Sequence, residues 1–185
     1  MIKSCYIHIP FCKKICSYCD FCKMVYNPSF VKPYLQALEE EIKDIYQQEE
    51  LESIYIGGGT PSCLSEEELE TLFLLIDKFQ KKKKIEFTIE GNFESTTKEK
   101  LELYKKHGVN RLSFGVETTN PSLLTFLNRE EKKEEIKEVI KNARELGFHN
   151  INIDLIYAIP EESINDLEKD LKFVFSLGDR KSTRL

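Results

Sequence analysis

The chain has 185 residues, with 27 basic against 32 acidic side chains and a formal net charge of -5. A chain of this length buries roughly 70% of its unfolded surface, so one hydrophobic core can hold it without disulfide staples. The acidic balance argues against a nucleic-acid partner, and no segment carries the long apolar run of a membrane span.

Cys5, His8 and Pro10 interrupt the first apolar stretch before it can form the core of a signal peptide. Six cysteines without a secretory signal fit a reducing cytosol, where clustered thiols hold metal more often than they form bridges. The expected location is therefore cytoplasmic.

In chain order, β-branched and aromatic runs predict strands over 2–9, 53–56, 85–90, 111–116 and 150–157. Helical stripes fill the intervals. Leu35, Leu38, Ile42 and Ile45 form the first, and Leu69, Leu72, Phe73 and Ile76 the second. Ser65 with Glu68, and Thr96 with Glu99, have capping-box spacing, while Asn120 before Pro121 matches an N-cap followed by proline. Gly108 and Gly147 stand where helix C-termini call for a left-handed residue. The basic run 81–84 reads as a solvated helix end. Ile136, Val139, Ile140, Ala143 and Leu146 mark the fourth interval, and a last helix starts near Ser163 and runs through Leu167, Leu171 and Val174. Strict alternation of strand and helix predicts an α/β fold of right-handed βαβ units, with functional residues at the carboxyl ends of parallel strands.

Cys12, Cys16 and Cys19 form a C-x3-C-x2-C loop directly after the first strand. Three thiolates fill three corners of a four-iron cubane and leave one iron open to a ligand. The spacing alone also permits a zinc site with His8 as fourth ligand, or a set of small buried side chains. Gly57-Gly58-Gly59-Thr60-Pro61-Ser62 ends the second strand with exposed backbone donors and acceptors, but it is neither a G-x-G-x-x-G turn nor a P-loop. Glu90 and Glu117 end the third and fourth strands, and Asp154 sits inside the fifth. Acids in such places bind ligand hydroxyls or ammonium groups, or form ion pairs with helix cations.

Four motifs occur in order: Tyr6-Ile7-His8-Ile9-Pro10-Phe11-Cys12, the glycine turn, Asn110-Arg111-Leu112-Ser113-Phe114-Gly115-Val116, and Asn152-Ile153-Asp154-Leu155-Ile156-Tyr157. Together they resemble the radical S-adenosylmethionine (SAM) superfamily, and more narrowly its oxygen-independent coproporphyrinogen oxidase and heme chaperone branch. The resemblance implies a partial (β/α) TIM-type barrel, with five βα units of an expected six over residues 1–179, incomplete at the C-terminus. Residues 180–185 then read as a tail foreign to the native continuation.

The resemblance further implies that Cys12, Cys16 and Cys19 hold a [4Fe-4S] cluster whose open iron takes the amino and carboxylate groups of SAM. Electron transfer then yields methionine and a 5'-deoxyadenosyl radical. Cofactor contacts carry over to Tyr6, Tyr18, Gly58, Gly59, Thr60, Glu90, Glu117, Arg129 and Asp154. Four positions depart from the family pattern: Glu117 stands for glutamine, Phe93 for proline, Ala158 for glycine and Glu162 for glutamine. Cys22 reads as a spare thiol, and Cys5 and Cys63 as ordinary small residues.

The short lead before the first strand and the Cys19-Asp20-Phe21 continuation favour a heme chaperone that binds heme and passes it to an acceptor protein. The alternatives are oxidative decarboxylation of coproporphyrinogen III to protoporphyrinogen IX and a zinc-binding structural module. The heme acceptor and the electron donor are not readable from the residues.

Overall fold

A computed structural model of the protein describes residues 3–178. Five parallel strands form one sheet in the order β1-β4-β5-β6-β7: β1 (Ser4–Ile9), β4 (Leu51–Gly58), β5 (Lys81–Gly91), β6 (Arg111–Glu117) and β7 (Asn150–Leu155). Two short strands, β2 (Phe11–Cys12) and β3 (Met24–Val25), pair separately. Helices α1 (Pro28–Ile45), α2 (Glu66–Ile76), α3 (Lys98–Lys106), α4 (Pro121–Phe126), α5 (Lys133–Glu145) and α6 (Ile164–Ser176) supply the crossovers. Strands that neighbour one another in sequential order, joined by right-handed crossovers, place every helix on one face and curl the sheet toward a barrel. The expected α/β partial barrel is thus what forms. Residues 180–185, read as a foreign tail, lie outside the described residues, as do Met1 and Ile2.

The period of two along each strand divides the sheet's faces. Ile7, Ile9, Ile54, Ile56, Phe87, Ile89, Leu112, Phe114, Ile151 and Ile153 are buried in the core with the helix stripes. The alternate residues, including Glu90, Ser113, Asn152 and Asp154, line the concave face. Glu90 pairs in register with Ser113, Ser113 with Asn152, and Gly115 with Asp154. The concave face is therefore polar by sequence, and its acids sit near the strand ends.

Helix boundaries follow local chemistry. Ser65 and Glu68 form the expected reciprocal capping box. Ser163 and Asp166 make a second one at α6. Gly108 and Gly147 adopt φ of 85° and 80° immediately after the caps of α3 and α5, the left-handed geometry their positions require.

Three expectations need correction. The N-cap of α3 is Thr97, which accepts from Lys100 N at 3.3 Å. Thr96 is unavailable because its hydroxyl donates to Asn92 O at 2.8 Å. The basic run 81–84 is not a helix end: α2 stops at Ile76, and Lys81 already pairs in register with Leu51 at the start of β5. Lys81 and Lys82 are held there by Asp77 and Glu52, at 2.8 and 2.7 Å. Lys81 also lies over the Phe87 ring, 5.5 Å from its centroid, so part of this polar run covers apolar surface while it extends the strand. The fifth strand also ends at Leu155, short of Tyr157.

Two family departures have visible structural consequences. Phe93 is buried and stacks on Phe114 with ring centroids 4.7 Å apart, so the bulkier residue fills core space. Ala158 sits at φ 60°, where a Cβ is strained and glycine is not. Ala158→Gly should stabilise the protein by about 0.5–1 kcal/mol and raise Tm by about 1–4 °C. A thermal melt in which the variant unfolds no later than the parent would remove strain as the account of this turn.

Candidate functional site

The cysteine loop is built outward from β1. It leaves the sheet at Pro10 and returns at Met24, closed at its base by Met24 N to Pro10 O at 2.7 Å and Tyr26 N to Cys12 O at 2.8 Å. Its far side docks on the turn after α4. Ser17 N donates to Leu127 O at 3.2 Å, Ser17 Oγ to Phe126 O at 2.8 Å, and Asn128 Nδ2 to Ile15 O at 2.8 Å. That turn is a Schellman-type cap: Asn128 at φ 58° donates to Thr125 O, and Arg129 N donates to Leu124 O. The cap therefore places Arg129 beside the loop carrying Cys16.

The glycine turn approaches from the other side. Gly59 N donates to Ile9 O at 2.8 Å and Thr60 N to Phe11 O at 2.7 Å. A Cβ on Gly59 would come within 2.7–2.9 Å of the Ile9–Phe11 backbone, so only glycine lets the two loops lie this close. Thr60 Oγ1 lies 3.6 Å from Cys12 Sγ and Gly58 N donates to Glu90 at 3.2 Å.

These pieces enclose a cleft of about 190 Å³ lined by Cys12, Cys16, Cys19, Tyr18, Gly58, Gly59, Thr60, Glu90, Glu117, Arg129 and Asp154. All but one of the residues singled out from sequence meet there. The exception is Tyr6, which is exposed, hydrogen-bonds to His8 Nδ1 at 3.1 Å, and lines a separate groove against α1. Asn92, Ser113 and Gly115 also line the cleft. Ser113 and Gly115 had a signal, since both lie inside the Asn110–Val116 motif, and Asn92 directly follows the strand-ending Glu90-Gly91. Glu131 is a further contact that no spacing announced.

The cleft's charge centre is Arg129. Its Nη1 donates to Glu117 Oε1 and to the Tyr18 hydroxyl, each at 3.3 Å, and lies 3.9 Å from Cys16 Sγ. Its Nη2 donates to Gly115 O at 2.9 Å and to Glu131. Burial opposes the guanidinium's charge, but the Glu131 hydrogen bond and the two carboxylates outweigh it and raise its pKa. Glu117 is buried at φ 62°, beside a register shift in the β6–β7 pairing. Backbone strain held at a ligand cleft is a feature of working sites.

Burial raises the Glu117 pKa despite the opposing Arg129 charge and the Tyr18 hydrogen bond. The native state then holds that proton more tightly than the unfolded chain, so the contribution of Glu117 to stability falls as pH rises from its unfolded to its folded pKa. Glu117→Gln should raise Tm over the parent at pH 8 and leave the two much closer at pH 5. A Tm difference that is the same at both pH values would contradict this.

The cysteines differ in setting. Cys12 is buried and burial raises its pKa, whereas Cys22 is exposed. Burial pushes the Cys63 thiol up to about 12, as expected of an inert core residue, and its Sγ donates to Phe11 O at 3.3 Å. His8 is committed elsewhere, with Nε2 2.8 Å from Cys22 O and Nδ1 on Tyr6. Among the described residues no three His, Cys, Asp or Glu side chains converge as a single metal ion requires, whereas a cubane takes each thiolate at a separate corner. The buried Arg129 Nε has no partner among the described residues, so the guanidinium's hydrogen-bonding capacity is not exhausted by Glu117, Glu131, Tyr18 and Gly115. Three thiols, a buried guanidinium and strand-end carboxylates are a donor set that fits a cluster with SAM beside it.

A family model for the radical SAM superfamily matches residues 6–174, and the chain belongs to that superfamily. Within it, the likeness is to the branch of heme chaperones and oxygen-independent coproporphyrinogen oxidases. The chain is 42% identical over 181 residues to the heme chaperone HemW of Bacillus subtilis, covering 95% of this chain and 48% of that protein. It is 36% identical to the oxygen-independent coproporphyrinogen III oxidase of Escherichia coli, covering 97% and 40%. The solved structure of that oxidase, HemN, superimposes with a TM-score of 0.88 at 35% identity, over 94% of this chain and 41% of that one. The chain thus spans less than half the length of these relatives. No helix among the described residues is long and apolar enough to cross a membrane.

Proposed function

We propose that this chain is the cofactor-bearing part of a heme chaperone-like radical SAM protein. Cys12, Cys16 and Cys19 hold a [4Fe-4S] cluster, SAM lies in the adjoining cleft, and the protein serves heme transfer. The observation that carries the reading is the convergence of three thiols, the glycine turn and Arg129 on one cleft. When bound, the cluster supplies an electron to the cofactor's sulfonium.

The chain's own residues bind and orient. Arg129 presents a planar fork to a carboxylate, for which an incoming ligand competes with Glu117. Backbone carbonyls of the glycine turn accept an ammonium group. Asp154, fixed by Asn152 Nδ2 at 2.9 Å, is placed for ribose hydroxyls. Tyr18, between two cluster ligands, offers a ring face for adenine.

The 42% identity to the Bacillus subtilis HemW, against 36% to the Escherichia coli oxidase, supports the chaperone over the enzyme. Two assays on anaerobically reconstituted protein decide. Heme added in stoichiometric amount should give a bound Soret spectrum, and coproporphyrinogen III with SAM and reductant should give no protoporphyrinogen. Formation of protoporphyrinogen would put the oxidase in the chaperone's place.

A further inference from the structure

Lys100 is buried, with 8% of its surface exposed, and among the described residues no carboxylate caps its ammonium group. Its Nζ donates instead to two backbone carbonyls, Ser62 O at 2.7 Å and Ser95 O at 3.0 Å. Those carbonyls belong to different loops. Ser62 closes the glycine turn after β4, and Ser95 lies in the short helical turn after β5 that carries Asn92. Burial lowers the Lys100 pKa, with Lys13 adding to the effect, so charge is kept there against its desolvation cost.

The connection continues to the cleft. Ser62 is fully buried, its Oγ accepts from Asn92 N at 2.9 Å, and it lies 2.6 Å from Ser95 Oγ. Asn92 Nδ2 reaches Thr60 Oγ1 at 3.5 Å, and Thr60 Oγ1 in turn faces Cys12 Sγ at 3.6 Å. Lys100 itself does not line the cleft. It stands behind the two loops that do.

We propose that Lys100 is a positioning residue for SAM: its ammonium clamps the glycine turn to the Asn92 loop and thereby sets the separation between Thr60 and Asn92 in the cleft. The proposal rests on the cofactor-site reading above. A lysine suits this task because three rotatable donors can satisfy carbonyls from two loops at once, and a charge-assisted bond to a buried carbonyl resists opening. An aliphatic side chain of equal length would leave both carbonyls unpaired, and the loops would separate to reach water.

The test uses Lys100→Met in the full chain, with two readouts. In cofactor-free protein, the Asn92 amide, which is protected through Ser62, should exchange at least 10-fold faster than in the parent, while amides in β6 are unchanged. In anaerobically reconstituted protein, iron content should match the parent, and SAM affinity measured by titration calorimetry should fall at least 10-fold. Parent protein that takes no SAM would defeat the cofactor-site reading, and the exchange readout would still judge the clamp. Parent that binds, with a variant within 2-fold of it in both readouts, overturns the proposal. Should Lys100→Met fail to fold, Lys100→Gln replaces it. Its neutral amide keeps donor capacity but loses the charge on the two carbonyls, so both readouts should change in the same direction by about 3- to 10-fold, and values within 2-fold of the parent in both would overturn the clamp.

Discussion

Replacing any one of Cys12, Cys16 or Cys19 with alanine should reduce iron and acid-labile sulfide in anaerobically reconstituted protein to under about a tenth of the parent level. Cys22→Ala should leave both unchanged. The asymmetry comes from position, not from chemistry. Cys12, Cys16 and Cys19 line one cleft, whereas Cys22 lies beyond it, exposed, with its carbonyl accepting from His8. A cubane with two protein ligands loses both affinity and protection from solvent. Full iron loading in Cys16→Ala, or equal losses in Cys22→Ala, would remove the assignment of ligands.

Arg129→Ala should destabilise the protein by about 3–5 kcal/mol, because it removes one partner from a buried charge cluster. That is a large share of a typical domain's 5–15 kcal/mol. The side chains of Arg129 and Glu131 are each 5% exposed and that of Glu117 is 11% exposed, so water cannot replace the lost cation. The effect has a pH signature. Burial already raises the Glu117 pKa with Arg129 present, and without the cation the carboxyl becomes still easier to protonate. The stability gap between variant and parent should therefore narrow as pH falls from 8 to 5. Arg129→Lys should recover much of the stability but not SAM affinity, because an ammonium lacks the planar fork. Urea unfolding at both pH values checks the first statement, and a gap that widens toward acid would contradict it.

Much of this architecture was legible because two physical signals were strong. β-branched and aromatic runs marked the strands and placed Glu90 and Glu117 at strand ends and Asp154 within the fifth, and the alternation of the folded strands sets Ile54, Ile56, Phe87 and Ile89 on the core face with Glu90 and Asp154 opposite. Capping chemistry marked Ser65, Gly108 and Gly147 correctly, since each depends only on near neighbours.

The misses share a cause, which is that a hydrogen-bond or register partner not announced by local spacing decided them. Thr96 gave up its capping position to Thr97 because Asn92 claimed its hydroxyl. The run 81–84 became strand because Leu51 offered Lys81 a register. Glu131 acts through Arg129, two residues away, and Lys100 through carbonyls of two other segments, and nothing in their local spacing distinguishes them from surface charges. Tyr6 shows the reverse limit. A motif position carried over by resemblance turned its side chain to another groove, toward His8 and Tyr55.

The central claim is that three thiolates on one loop hold a cluster whose remaining iron is open to SAM. Electron paramagnetic resonance of the reconstituted, dithionite-reduced protein tests it most directly. The account predicts about four irons per chain and an S = 1/2 cluster signal whose g-values shift when SAM is added, with the shift weakened in Arg129→Lys. A fully loaded cluster whose spectrum is indifferent to SAM at millimolar concentration would contradict it.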